Sequence, residues 1–505
     1  MLRKLYQLKL LTPAGLYRLA SSFLHSGLNL MGLLRYASLQ YPERIAVQDE
    51  REIISYSILY QQAEQLAASL QNTYNITKDK SVAIMCCNHA SLVRSIFALS
   101  RLGTHIYLLN AEMSSSQFKQ LNDRFNFDMV IYDASNTALP DLLSPKQLLI
   151  PAYNTTEASI DTLSKTVTNA TKIRRSAPGK VTILTGGTTG DFKTAERKQS
   201  ATSFSAPFLA LVNNLNLNTF SSVYIATPIY HGFGLAALCI SVAVGARMFM
   251  LQKFDAAKAC ALIHEHKIEA VTLVPLMLNR MLAADPVSLR SLVCIVSGGA
   301  ALNPVLAKET QDRLGPVLYN LYGTSEVGFC ILATPRDMAY SVKALGKAIQ
   351  GVQLKLLDNS NNEVVTHKVG RICIKSSWTI KHPSSDWIET GDLAYKDNKG
   401  YYFLCGKIDD MIVSGGENVY PIELENILMQ HSDVTSVAVI GIEDEDFGQR
   451  LKAFVVPAAD SKINKGELMQ WLSGRAARYQ MPKHIEFISD LPYTALGKPD
   501  KKQLS

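Results

Sequence analysis

From about Ile45 onward, short runs of strand-forming residues alternate with stretches of helical periodicity, and nothing else in the chain limits its fold so tightly. Ser81–Met85, Met129–Tyr132 and Val223–Ala226 read as strands, while Ser57–Leu70 and Ala256–His266 carry apolar residues at helical spacing. Strands that alternate with helices imply parallel sheets covered on both faces. After about Lys343 the pattern changes to short strands and turns, in GVQLKLLDNSNNEVV, VGRICIKSS and GYYFLCG, with Asp358-Asn359 and Asn361-Asn362 marking a tight turn. From Asp409 a compact α+β module is expected, with helices at Pro421–Gln430 and Lys465–Tyr479 and strands at Val434–Gly441 and Leu451–Pro457. The expected class is α/β. A large domain of parallel sheets spans 43–408, with a small β-rich subdomain from about 343, and an α+β domain fills 409–505.

With 47% hydrophobic and 19% charged residues, the chain is neither disordered nor collagen-like. Its net charge of +7 is unevenly spread, because residues 1–42 hold Arg3, Lys4, Lys9, Arg18 and Arg35 and no acid. A nucleic-acid-binding surface is not expected from so local an excess. Interrupted by Pro13, Gly15, Gly27 and Gly32, this segment reads as two or three short amphipathic helices. It fits peripheral contact with an anionic membrane, an organelle transit peptide, or an arm packed on the body of the protein. The eight cysteines form no CxxC or Cys/His cluster along the sequence, which points to reduced thiols in a cytoplasmic chain. No compact apolar run with a cleavage site follows Arg3 and Lys4, so no secretory leader is expected. The uncharged stretch Pro228–Ala246 opens with proline and contains His231, and is read as a buried loop and helix rather than a membrane span.

Chemistry is concentrated in a few segments. The run Val181–Leu184 leads into Thr185, Gly186, Gly187, Thr188, Thr189 and Gly190 and then reaches Lys193. Glycines let backbone wrap closely around phosphate oxygens, hydroxyls add donors, and a lysine adds a point charge. The spacing is not that of a Walker A loop. Tyr322-Gly323-Thr324-Ser325-Glu326 places a ring, hydroxyls and a carboxylate within five residues, able to stack a base, bind phosphate and hold magnesium. Thr390-Gly391-Asp392 offers a carboxylate to ribose hydroxyls, and Lys498 follows Gly497 near the C-terminus.

The order and spacing of these segments resemble the adenylate-forming enzymes: acyl- and aryl-CoA synthetases, luciferases and adenylation domains. The resemblance runs from about residue 45 to the end and rests on TGGTTGDFK (185–193), TPIYHGFG (227–234), SGGAALNP (297–304), YGTSE (322–326), TGDL (390–393) through GKIDDMIVSGGENVYPIELE (406–425), and LPYTALGK (491–498). It implies a ligase that joins a carboxylic acid to AMP with release of pyrophosphate, then transfers the acyl group to coenzyme A. By the family's pattern, residues 185–190 and Lys193 hold the β- and γ-phosphates. Gly298, Gly299, Ala300, Gly323, Thr324 and Lys407 belong to the nucleotide site. Tyr322 stacks on adenine, Ser325 contacts phosphate, Glu326 holds the magnesium ion, Asp392 binds ribose, and Lys498 bridges carboxylate and α-phosphate. His231 lies between nucleotide and acyl pocket. The resemblance also implies that the C-terminal domain is mobile about a hinge at Asp409, which brings Gly415, Gly416 and Glu417 to a thiol channel for the second step.

The chain departs from the pattern in four places. Phe192 replaces the usual proline and Thr194 the usual glycine, Lys407 replaces an arginine, and Val413-Ser414 replaces a lysine. Lysine supplies charge without the two-pronged geometry of guanidinium. The segments TPIYHGFGLAAL, AVTLVPLMLNRML and Val327–Ala333 are apolar, and Arg280 is expected to face solvent. An apolar pocket suits an aliphatic or aryl acid. A medium- or long-chain fatty acid is the leading expectation, an aromatic acid the next, and a thiol on a separate carrier protein is the alternative acceptor. A nucleotide-binding, catalytically silent homologue is the reading from outside the enzymes.

Overall fold

A computed structural model describes residues 2–135, 139, 143–144, 146–154, 158–166, 173–186, 192–198, 201–217, 219–324, 326–378, 386–414, 417–494 and 497–504. The chain forms two compact units, one of Met1–Leu273 with Ala284–Ile295 and one of Val274–Ala283 with Val296–Ser505.

In the first unit, the strands Leu148–Pro151, Met129–Tyr132, Ser81–Met85, His105–Leu108 and Lys180–Gly186 lie side by side in that order, all parallel. A sixth strand, Phe192–Lys198, closes this sheet antiparallel to Lys180–Gly186. Thr185 therefore lies opposite Lys193, and the sheet is mixed rather than wholly parallel. A second set of strands runs Ala270–Leu273, Ser222–Ile225, Arg247–Phe249, Ile45–Gln48 and Ile53–Ser55, parallel except for the last.

The helix Ala90–Leu102 follows Ser81–Met85 and is buried along its whole length, including Arg94 and Arg101. Buried cations need partners. Arg94 is paired with Glu52 and Asp161, and Arg101 with Glu64. The first 42 residues form the helices Leu2–Gln7, Pro13–Ser26 and Leu30–Gln40. Met31, Leu34, Tyr36 and Ala37 of the third are fully buried, packed against Tyr56–Tyr74, Ala90–Leu102 and Gly232–Val244. That helix is core of the first unit. Gly232–Val244 occupies the uncharged stretch, and among the described residues no helix is long and apolar enough to cross a membrane.

The second unit carries the antiparallel strands Leu318–Thr324, Gly328–Ala333 and Lys347–Ala348. It also holds an antiparallel sheet of Val352–Leu357, Gly370–Ser376, Ile388–Lys396 and Tyr402–Lys407. A third sheet follows, in the order Glu417–Val419, Ile412–Ser414, Gly448–Pro457 and Val434–Asp444, with His484–Phe487 parallel to Gly448–Pro457. Pro421–Leu428 and Lys465–Ser473 cover it, with Leu424, Leu428, Leu468 and Leu472 fully buried. The second of these helices is shorter than expected, because Gly474 caps it and only a single turn, Arg478–Gln480, follows. All eight cysteines are free thiols.

Candidate functional site

Each unit gathers part of the chemistry. In the first, the segment 227–234 leaves the strand Ser222–Ile225 and is held in place by Asn88, a residue the sequence reading passed over. Asn88 Nδ2 donates to the carbonyls of Ile225 (3.3 Å) and Thr227 (3.0 Å), and its Oδ1 accepts from the Ile229 amide at 2.8 Å. Thr227 Oγ1 lies 3.2 Å from Thr272 Oγ1 on the neighbouring strand. This stitching positions His231, which stands at the N-terminus of Gly232–Val244 with its ring 4.5 Å from that of Tyr230.

Beside Asn88, folding collects Cys86, His89 and Asp133, whose potential ligand atoms lie within 4.8 Å of one another. Their bonding is that of a helix cap. His89 Nδ1 accepts from the Leu92 amide (3.0 Å), which leaves Nε2–H to donate to Asp133 (2.7 Å), and Asp133 also accepts from the Cys87 amide at 2.8 Å. Burial pushes the Cys86 thiol well up, with the Asp133 charge adding to it. Residue order does not announce this neighbourhood, since Asp133 follows the strand Met129–Tyr132 and lies 44 residues from His89.

The backbones of Thr185, Gly186 and Lys193 are set by the strand pairing, whereas Gly187, Thr188, Thr189 and Gly190 lie outside the described residues, as do Ser325, Gly415 and Gly416.

The second unit brings four of the expected residues together. Tyr322 and Asp392 stand on different strands, and the Tyr322 hydroxyl lies 2.7 Å from Asp392 Oδ2 and 3.0 Å from Thr390 Oγ1. Asp392 is register partner of Lys407. Burial pushes the Asp392 carboxyl up from its usual range, against the Tyr322 hydrogen bond and the charges of Lys407 and Lys498, which pull it down. Lys498 shows the converse: desolvation and the neighbouring Lys407 hold its ammonium below the ordinary lysine value, and Asp392 partly restores it. Lys498 is exposed as a residue, and it is the ammonium end, beside Lys407 and Asp392, that is desolvated. Burial and Asp392 together drive the Tyr322 hydroxyl far above its usual value, so it stays a neutral donor.

The turn that carries Lys498 is well defined. The Thr494 amide donates to the Lys498 carbonyl (2.8 Å) and the Gly497 amide to the Thr494 carbonyl (2.8 Å). Gly497 has φ +67°, and a Cβ there would meet Val274 Cγ2 at 2.9 Å, so both conformation and space call for glycine. Glycine is needed at 323 for a different reason, since a Cβ there would lie 2.2 Å from the Gly328 carbonyl across the hairpin. Thr324 Oγ1 donates to Glu326 Oε2 at 2.7 Å, aiming a half-buried carboxylate. Gly298 ends the buried strand Cys294–Gly298, Gly299 has φ +80°, and Ala300 is half-buried. Asp409 is exposed on the turn Ile408–Asp410, between the last strand of one sheet and the strand Ile412–Ser414 of the next. Glu417 is exposed, as is Arg280.

Residues 34–382 match the AMP-binding enzyme family, and residues 423–498 match the AMP-binding enzyme C-terminal domain. The chain belongs to the AMP-binding enzyme family. Among its relatives in this family, an indoleacetate–CoA ligase of Aromatoleum aromaticum is 29% identical, with 92% of this chain and 95% of that protein aligned. A medium/long-chain-fatty-acid–CoA ligase, FadD8 of Mycobacterium tuberculosis, is 32% identical over a shorter stretch, 63% of this chain and 59% of that protein. The o-succinylbenzoate CoA synthetase of Bacillus subtilis, solved with its acyl-adenylate intermediate, superposes with a TM-score of 0.82 at 25% identity, covering 94% of this chain and 97% of that one. The AMP-binding fold thus extends over nearly the whole chain.

Proposed function

We propose that this AMP-binding enzyme is an acid–CoA ligase that activates an aromatic carboxylic acid through an acyl-adenylate. The observation that carries the nucleotide part is the cluster of Tyr322, Asp392, Lys407 and Lys498, a neutral donor, a carboxylate and two cations in one network. Asp392 accepts from the ribose hydroxyls and Tyr322 packs against the base. Lys498 would bridge the carboxylate and the α-phosphate, its charge offsetting their repulsion as negative charge builds up in the transition state. Residues 185–190 and Lys193 cradle the outer phosphates, with Gly298, Gly299, Ala300, Gly323, Thr324, Ser325 and Lys407 completing the nucleotide site. A carboxylate aimed by a neighbouring hydroxyl suits a magnesium ion, which takes one or two carboxylates plus phosphate oxygens. Glu326 would hold it there, and the ion would neutralise phosphate charge.

For the second step, Asp409 absorbs the backbone rotation that exchanges Lys498 for residues Gly415, Gly416 and Glu417 beside the thiol. A turn joining two sheets can take up such a change without breaking either.

The acid is assigned from the relatives. The indoleacetate and o-succinylbenzoate ligases both act, by name, on acids with an aromatic ring, and both align over most of the chain. That weighs against the fatty acid expected from the sequence, since an apolar wall accepts ring and chain alike. FadD8 supports a fatty acid as the second reading, over a shorter alignment. Pyrophosphate release measured with arylacetates, benzoates and fatty acids of graded length separates them. Turnover with aryl acids and none with alkyl chains is expected; a rate that climbs with chain length instead would overturn the aryl assignment.

A further inference from the structure

The helix Pro13–Ser26 leaves a stripe of large apolar side chains uncovered, while Leu19 and Phe23 are half-buried. Its buried residues are Gly15, Ser22 and Ser26, small or polar, while Leu16, Tyr17 and Leu24 face solvent, Tyr17 at 75% and Leu24 at 70% exposure. Pro13, Tyr17, Ala20 and Leu24 fall at i, i+4, i+7 and i+11, so they form one outward stripe. Of the sixteen large hydrophobic residues exposed among those described, six (Tyr6, Leu16, Tyr17, Leu24, Leu28 and Leu39) belong to the first 40 residues. Such a concentration marks an interaction surface rather than the usual scatter of single apolar residues.

This surface is held rigidly. Lys4 Nζ donates to the Asn213 carbonyl and to Asn216 Oδ1, both at 2.7 Å, Arg18 is bonded to Gln40, and the Tyr41 hydroxyl donates to the Leu8 carbonyl. The charge of residues 1–42 is of one sign. Residues 1–42 contain no acid, Arg3 and Lys9 are exposed, and Leu28 shares a hollow with the exposed Arg175, next to Arg174.

We infer that this face docks on the surface of an anionic lipid bilayer, with Tyr17, Leu24 and Leu16 seated among the acyl chains and Arg3, Lys9, Arg174 and Arg175 against headgroup phosphates. Exposed apolar side chains on a helix of a basic, acid-free segment are what an interfacial helix requires. Two copies of this chain pairing through the same face would bring like charges together, whereas anionic lipid supplies the counter-charge.

Flotation of the full chain with vesicles of phosphatidylcholine alone, or with 30 mol% phosphatidylglycerol, tests the inference. The chain should rise with the anionic vesicles only, and 0.5 M salt should release most of it. Arg3→Gln/Lys9→Gln should weaken partitioning about 25-fold, at about five-fold per cation near an anionic surface. Tyr17→Ser/Leu24→Ser should lower it at least ten-fold, while thermal unfolding and ATP–pyrophosphate exchange stay unchanged, because the altered side chains lie on the surface and outside the nucleotide site. Three results would overturn the inference: wild-type chain that stays at the bottom of the gradient, variants that float like wild type, or a dimer in sedimentation that Tyr17→Ser/Leu24→Ser dissolves with no vesicle binding in either form.

Discussion

Replacing Asp392 by asparagine separates what the fold needs from what the chemistry needs. The folded environment raises the Asp392 carboxyl above its unfolded value, mainly by burial. The sign follows: ionised Asp392 costs the folded state free energy, fully so above the folded pKa, and the cost vanishes at pH values low enough to protonate it in both states. Asparagine is nearly isosteric, carries no charge, and its Oδ1 can still accept from the Tyr322 hydroxyl, now 2.7 Å from Asp392. Stability at neutral pH should hold or rise. Nucleotide binding should not survive as well. A hydrogen bond to a charged acceptor is worth about 1.5–3 kcal/mol and a neutral one about 0.5–1.5. Two ribose hydroxyls on Asp392 would therefore lose about 2–3 kcal/mol in all, a rise in KM for ATP of about 30- to 150-fold. Acid-dependent pyrophosphate release at graded ATP, beside a thermal melt, measures both. A fall in Tm with KM unchanged would show that Asp392 serves only as an acceptor for Tyr322, and the reasoning would fail.

Three further outcomes concern Lys498 and the turn at Asp409. Lys498→Ala should lower acyl-adenylate formation by about 10²–10³-fold, the usual loss when one preorganised charge-stabilising donor is removed, while thioester formation from added acyl-adenylate is spared; equal losses in both half-reactions would remove Lys498 from its role. Because Lys498 is held below the ordinary lysine value, the alkaline limb of the adenylation rate should lie below that value and move lower still in Asp392→Asn, which deletes its counter-charge. Lys498→Arg should erase the limb in this range, as guanidinium stays protonated, and a limb unmoved by either change would assign it to another group. Asp409→Pro should slow thioester formation more than adenylation by fixing one dihedral of the turn, and the reverse order would place the hinge elsewhere.

Much of the architecture could be read from residue order because hydrophobic period sets strand and helix locally. Ser81–Met85, a short apolar run, and Ala256–His266, with apolar residues at helical spacing, match their expected bounds to the residue. What escaped depended on partners distant in the chain. Phe192–Lys198 is too polar to look like a strand and is one because Lys180–Gly186 lies beside it. Leu30–Gln40 resembles the basic leader that precedes it, yet it is buried by three helices from later in the sequence. The candidate site shows the same division. Asp392, Lys407 and Lys498 are visible as motif positions, but the bond from Tyr322 to Asp392 spans 70 residues and the Asn88 clasp on Thr227 spans 139. Nor could composition choose between ring and chain for the acid, since leucine, valine and methionine walls take either.

Isotope exchange between pyrophosphate and ATP, run without coenzyme A, probes the acyl-adenylate itself. Label should enter ATP only when an acid is supplied, fastest with an aromatic one, and should cease in Lys498→Ala. Absence of exchange with every acid offered, in a chain that still binds ATP, would contradict the account.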